Sequence, residues 1–458
     1  MKVKELELHL PVDLGKQNAL AQIREALMFR LPQDIRPLKF AVTNSNGSRV
    51  RCVLSGLEGD TNTVQEQSIF DVRLRHYERT SQFNVVLVVP TGIGAEIGGH
   101  AGDATPVARL VSQACDNLVL HPNVVNASDI NEIPSNAIYV EGSVLTRLLM
   151  GTIGLAPVRS NRVLLAVSEH EDKLFVNAAI NAVGAARASF GINCPYVLKL
   201  SDPLVMKVRF TDAGTAAGEI GGLRELFATL EENRADYDAL AIASVISVPP
   251  EFHEHYFRSE GSMVNPWGGV EAMLTHAISN KLNVPSAHSP MLETREIANQ
   301  DYGIVDVRMA AEAVSLTFLH SVLKGLHTSP RIVTDSSQLV APGVISATDI
   351  SCLVIPDGCL GLPTLAALEQ GIAVIAVREN KNFMRNDLTS LPWGAGQLHI
   401  VENYWEAVGV LCALRGGVTP DSARRPIRPT MELSQQHLGV PPKFGSFEKS
   451  KRASGKAQ

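Results

Sequence analysis

Apolar positions change their spacing along the chain near residue 84, and the change separates two kinds of segment. Before it, strands at 6–10, 38–43 and 49–57 and an amphipathic helix over 17–29 predict a small α+β module over residues 1–80. Its polar, charge-mixed exit over 58–82 predicts a linker or a docking helix. From Asn84 onward, short unbroken runs of aliphatic residues are followed by glycine and then by helix-period stretches, the pattern of buried parallel strands in βα units. Such runs fall at 85–89, 163–167, 197–200, 239–244, 331–333, 352–355 and 373–377. Helices are predicted over 106–114, 176–190, 223–232, 270–282, 307–326, 363–369 and 405–414. The expected fold class is therefore α/β, with doubly wound, mostly parallel sheets in two Rossmann-like lobes over 81–200 and 201–443 behind the N-terminal module. Residues 444–458 hold four Lys or Arg and three Ser without periodicity and predict a disordered tail.

Composition narrows the function classes. A hydrophobic content of 45% supplies more than one core, and a net charge of −6 argues against a nucleic-acid partner, which needs clustered cations. Apolar runs stay at strand length, below the roughly 18 residues of a membrane span, and the N-terminus lacks the layout of a signal peptide. Six cysteines without CxxC spacing suit a reducing compartment, so the expectation is a cytoplasmic protein, as a monomer or a homo-oligomer, whose partner is a small anionic metabolite. The sequence names no cofactor and no metal site. Glu251-Phe-His-Glu-His255 looks metal-like, but His253 and His255, two apart, share a metal only on a strand or turn and lack a third ligand.

In doubly wound sheets ligands bind beyond the carboxyl ends of the strands, so chemistry is sought in the following loops. The strongest signal is PTGIGAEIGGHAGDATP (90–106), between a strand and a helix. Thr91 and glycines 92, 94, 98 and 99 expose backbone amides to an anion at the positive end of the helix. His100 and Asp103 add an acid–base pair. The spacing Gly92, Gly94, Gly98 departs from the dinucleotide fingerprint, and no Lys-Ser/Thr of a phosphate loop follows. The turn after His121 offers Asn123 and Asn126 to a ligand's hydroxyls or as caps of the local turn, with capping the expected use of Asn126. Glu141 stands as a carboxylate at a strand tip. Asn265, Gly268, Gly269 and Glu271 precede or open a helix, with His288 placed like a pocket residue on a nearby strand. Asp306 suits a helix N-cap, and Arg308 suits its ion-pair partner or a carboxylate clamp.

A third glycine loop, IPDGCLGLPT (355–364), leads through a helix to Gly371 and a second strand. This unit resembles the donor-site half of two-lobed glycosyltransferases and nucleotide-sugar epimerases. That likeness implies a diphosphate held by Asp357, Gly358 and the helix start. The Gly98-Gly99-His100 turn is similar to a Gly-Gly-His turn in their first domain. Cys359 in the same loop resembles one half-site of aspartate and glutamate racemases, which implies a cysteine nucleophile with Cys194 as its partner. As a whole, through PTGIGAEIGGHAGDA, HPNVVNAS and NPWGGVEA, the chain resembles an uncharacterised family of bacterial and cyanobacterial proteins, DUF3326-like. Three functions follow as expectations: a transferase or epimerase on a phosphorylated or nucleotide-linked metabolite; a Cys- or His/Asp-based isomerase, racemase or lyase on a carboxylated one; or a non-catalytic metabolite sensor or assembly factor. One cleft is expected to gather His100, Asp103, Asn123, Asn265, His288 and Asp357. Glu-Ile-Gly-Gly recurs at 96–99 and 219–222, a hint of a duplicated βα unit.

Overall fold

The computed structural model describes residues 1–59, 68–315, 317–427 and 429–430. Its central sheet has six strands, all parallel, in the spatial order Leu398–Val401, Ala373–Val377, Ile350–Pro356, Asn84–Leu87, Asn117–Leu120, Ala137–Tyr139. Read from the other edge, and numbered by position in the chain, the order is 3-2-1-4-5-6. Val85, Val86, Leu87, Leu118, Val119 and Leu120 are all fully buried, which is why these segments show continuous apolar runs instead of alternation. A second parallel sheet runs Tyr196–Lys199, Val163–Val167, Ala239–Val245, Ser286–Met291. The third sheet is antiparallel and runs Val205–Phe210, Ala216–Gly221, Lys2–Leu10, Arg49–Glu58, Ile35–Asn46, Leu360–Gly361.

The protein is thus α/β with two parallel sheets among the described residues, and its strands group differently from the expected 81–200 and 201–443 lobes. The central sheet takes strands from 84–139 and from 350–401, while the segment between them supplies the second parallel sheet. The N-terminal strands share their sheet with Val205–Phe210, Ala216–Gly221 and Leu360–Gly361, so residues 1–80 do not stand apart as a separate module. Periodicity reveals a strand but not its neighbour. Parallel neighbours are joined by crossovers, so they can lie far apart in sequence.

Local expectations also changed. Helix 307–326 is broken into Ala310–Ala313 and Leu319–Thr328. No helix forms over 68–82; the rest of the expected linker, 60–67, and the expected tail lie outside the described residues. The Glu-Ile-Gly-Gly echo does not mark a repeated unit: at 219–222 it closes the Ala216–Gly221 strand, which pairs with Val205–Phe210, whereas at 96–99 it is a turn. Among the described residues no helix is long and apolar enough to cross a membrane.

One helix carries a correctable defect. Gly184 lies inside Lys173–Phe190, exposed, and an added Cβ meets nothing within 4 Å. Gly184→Ala is therefore expected to raise stability by about 1 kcal/mol, from helix propensity alone. A urea midpoint that fails to rise contradicts this.

Candidate functional site

The three sheets meet at one cavity of about 330 Å³, walled by Leu38–Ala41 of the antiparallel sheet, Thr91 and Ile93 beyond the central sheet, and His288 of the second parallel sheet. Three groups of polar side chains stand on or behind its wall.

The first is built on Glu141. This carboxylate follows the Ala137–Tyr139 strand and caps the helix Gly142–Leu149, where its Oε2 accepts from Ser143 N (2.9 Å), Val144 N (3.2 Å) and the Ser143 hydroxyl. Its Oε1 accepts from Thr275 Oγ1 at 3.2 Å and faces His276 Nδ1 at 2.5 Å. Burial works against the charge. The His276 charge and hydrogen bond, with those of Ser143 and Val144, outweigh it and hold Glu141 below the ordinary carboxylate range. With Nδ1 committed to Glu141, His276 presents Nε2, which makes no hydrogen bond among the described residues. His121 completes the group. Its Nε2 accepts the Val89 amide at 3.2 Å, so the ring proton sits on Nδ1, and burial pulls its pKa to about 4, against the opposing charge of Glu141.

The second group is a chain behind the wall. Ala101 N (2.6 Å) and Asn265 Nδ2 (2.9 Å) donate to Glu312 Oε1, and Tyr256 Oη donates to Oε2 at 2.7 Å. His100 Nδ1 lies 2.8 Å from the same Tyr256 oxygen. Burial pushes Glu312 up to about 7 in spite of these three donors. The third group is Glu271 with His288, on adjoining parts of the helix Pro266–Leu282 and the strand Ser286–Met291.

The glycine loop at 90–106 is arranged unlike an open anion cradle. Ile97 N donates to Asn380, Gly98 N to Asp103 and Ala101 N to Glu312, so the protein's own side chains take these amides. A Cβ at Gly98 meets Val89 at 2.6 Å, and one at Gly99 meets the Ala95 carbonyl at 2.1 Å. These glycines, with Gly92 against Ala216 and Gly94 against Phe383, let chain segments approach closely. Gly268 and Gly269 do the same for Thr91 and the Ala216 carbonyl. Asp103 braces the loop from outside the cavity, and burial pushes it up to about 7.

The other expected residues divide. Thr91, Asn123, Asn126, Glu141, Asn265, Gly268, Glu271, His288 and Cys359 border the cavity. Asn123 is spent on the Val89 and Gly98 carbonyls, and Asn126 on Tyr139 Oη. Asn265 caps its helix through Trp267 N and Gly268 N. His100, Asp103, Asp357 and Gly358 do not border it, so the expected convergence is only partial. Gly358, at φ 80°, is the Asp357 turn. Asp306 pairs with Arg308, which reaches Glu96 at 3.2 Å, an ion-pair role away from the cavity. His253 and His255 lie on the helix Pro250–Phe257, one buried and one exposed, and no metal-holding group of three occurs among the described residues.

Cys359 is buried, and burial pushes its thiol up, opposite to the direction a nucleophile needs. The helix after it begins only at Leu362. Of the six cysteines, Cys412 alone is exposed. DTNB is therefore expected to modify one thiol in the folded protein. Rapid reaction of Cys359, located by peptide mapping, contradicts this.

Sequence reasoning missed His276, Tyr256 and Glu312. For His276 the available signal was polar residues in a largely apolar helix: Thr275, Ser279 and Asn280 are all buried in Pro266–Leu282. An otherwise apolar helix with such a face is one that borders a polar site.

Fold and site together define an α/β protein with a cavity bordered by carboxylate–imidazole pairs. The chain belongs to the family described as protein of unknown function (DUF3326), whose model matches residues 84–424. It is 32% identical over 338 residues to an uncharacterised lipoprotein of Synechococcus sp., covering 73% of this chain and 91% of that protein. No solved structure matches the chain.

Proposed function

We propose that the protein is an enzyme that moves protons on a small polar metabolite, an isomerase, epimerase or lyase without a cysteine nucleophile. The observation that carries this is the Glu141–His276 contact at 2.5 Å on the wall of a cavity of about 330 Å³, within the usual size of metabolite sites. In this reading Glu141 holds His276 through Nδ1, and the lone pair of Nε2 takes a proton from the substrate. His121, kept neutral, donates from Nδ1 to the oxygen on which charge develops. Arg147 and Lys39, also on the cavity wall, suit an anionic end of the metabolite.

A second reading, a phosphorylated or nucleotide-linked substrate, is favoured by the 3-2-1-4-5-6 strand order, that of Rossmann-like folds. The loops after Asn84–Leu87 and Ile350–Pro356 both border the cavity at the point where that order reverses. The occupied loop amides make it the weaker of the two. A cytoplasmic location belongs to both, supported by six free cysteines.

The test is solvent exchange. The full chain is incubated in D₂O with a metabolite extract, and carbon-bound deuterium is followed by mass spectrometry. A metabolite that gains deuterium or is converted with the wild type, and about a hundredfold more slowly with His276→Asn, supports the proposal. Equal rates with both proteins sink it.

A further inference from the structure

Glu271 and His288 form a polar surface of the same cavity that the proton-transfer group does not use. The His288 side chain is fully enclosed, and that of Glu271 is 28% exposed. Ser244 fixes the imidazole. Its oxygen lies 3.1 Å from Met206 Sδ and 2.9 Å from His288 Nε2. A thioether only accepts, so in the tautomer that makes both contacts hydrogen bonds Ser244 gives its one proton to the sulfur and receives the proton of Nε2. His288 Nδ1 is then a bare lone pair. It is buried without a hydrogen-bond partner and lies 3.8 Å from Glu271 Oε1.

Two acceptors facing each other across that gap call for a donor between them, because a buried acceptor left unpaired is costly. Among the described residues Glu271 accepts no hydrogen bond and pairs with no Lys or Arg, so the protein leaves its charge unmatched. A hydroxyl carries one proton and satisfies one of the two. A primary ammonium carries three, and its charge matches the carboxylate.

We propose that Glu271 and His288 bind the primary ammonium group of the metabolite, so that the substrate is an amine and not merely a polyol or an acid. This rests on the cavity being a metabolite site, as proposed above, and assigns Glu271 and His288 to recognition instead of proton transfer. With Arg147 and Lys39 also on the wall, the chemistry fits a zwitterion whose anionic end lies apart from its ammonium.

The test uses the full chain and calorimetric titration with matched probes: glucosamine against glucose, L-serine against glycerate, putrescine against butane-1,4-diol. At least one amine is expected to bind about tenfold or more tightly than its hydroxyl counterpart, since a site built for a donor rejects the analogue that lacks it. Glu271→Gln is expected to erase that preference, and Glu271→Asp to keep part of it. Equal affinities within every pair, no binding by any amine, or an unchanged preference in Glu271→Gln overturns the proposal. Because the readout is binding, the two ideas fail separately. Amine preference without deuterium exchange removes only the proton-transfer reading, and exchange into a metabolite without an amine removes only this one.

Discussion

Glu141→Gln is expected to cost about 3 kcal/mol of folding stability, since one buried carboxylate accepts hydrogen bonds from a helix terminus, Thr275 and His276, and bonds to a charged acceptor contribute more than neutral ones. The amide nitrogen of Gln would also face donors at Ser143 or at Thr275 and His276, whichever way it turned. The pH dependence carries the same signature. The folded state holds Glu141 below its unfolded pKa, so its contribution is fully present above about pH 4.3 and is lost as pH falls through the lower folded value. The difference between wild type and variant isolates this term. The full curve does not, because His121 and His253, pulled to about 4, and Asp103 and Glu312, pushed to about 7, titrate in neighbouring windows. Urea unfolding at several pH values is expected to give a constant gap above about pH 5 that narrows toward pH 3. A gap independent of pH refutes the ionised, hydrogen-bonded carboxylate.

Gly102→Ala is expected to cost about 3 kcal/mol or more, from two additive strains. Gly102 sits at φ 76°, where a side chain is disfavoured, and its Cβ meets Ala127 Cβ at 2.1 Å and Ala127 Cα at 2.6 Å. The opposing atoms are a short side chain and backbone, so no flexible group can yield. Ala127 belongs to Asn126–Ala127, beside the cavity-lining Asn126, so the damage extends to the site. Urea midpoints compared with Gly184→Ala give a contrast of opposite sign for one chemical change. A loss below about 1 kcal/mol contradicts the packing argument.

The candidate site was half legible. Glu141 and Asn265 were visible because each stands at a helix start, where local pattern assigns a place, and Glu271 and His288 because they follow soon after in the helix Pro266–Leu282 and the strand Ser286–Met291. His100 and Asp103 looked equally suited, yet the loop folds them away from the cavity, Asp103 onto Gly98 N and His100 onto Tyr256. Glycine spacing could not separate an anion cradle from a tightly packed crossover, because both need the same missing Cβ. The neighbours decide it, and Val89, Ala95 and Ala127 are the neighbours here.

By itself the sequence determined the longer buried strands and most helices, since burial on both faces of a parallel sheet imposes continuous apolar runs, while the short strands Ala137–Tyr139 and Leu398–Val401 fall outside those runs. Val163–Val167 and Ala373–Val377 stand where their runs stand, whereas Arg331–Val333, read in the same way, pairs antiparallel with Gly154–Ala156 and is not buried on both faces. It also placed Asn265 ahead of a helix, where the side chain reaches the amides two and three residues on. Only the tertiary structure decided that Ile350–Pro356 lies beside Asn84–Leu87, and that His276 meets Glu141 across 135 residues. Crossovers and side-chain contacts at that separation leave no periodic trace, so the cavity and its chemistry belong to the fold.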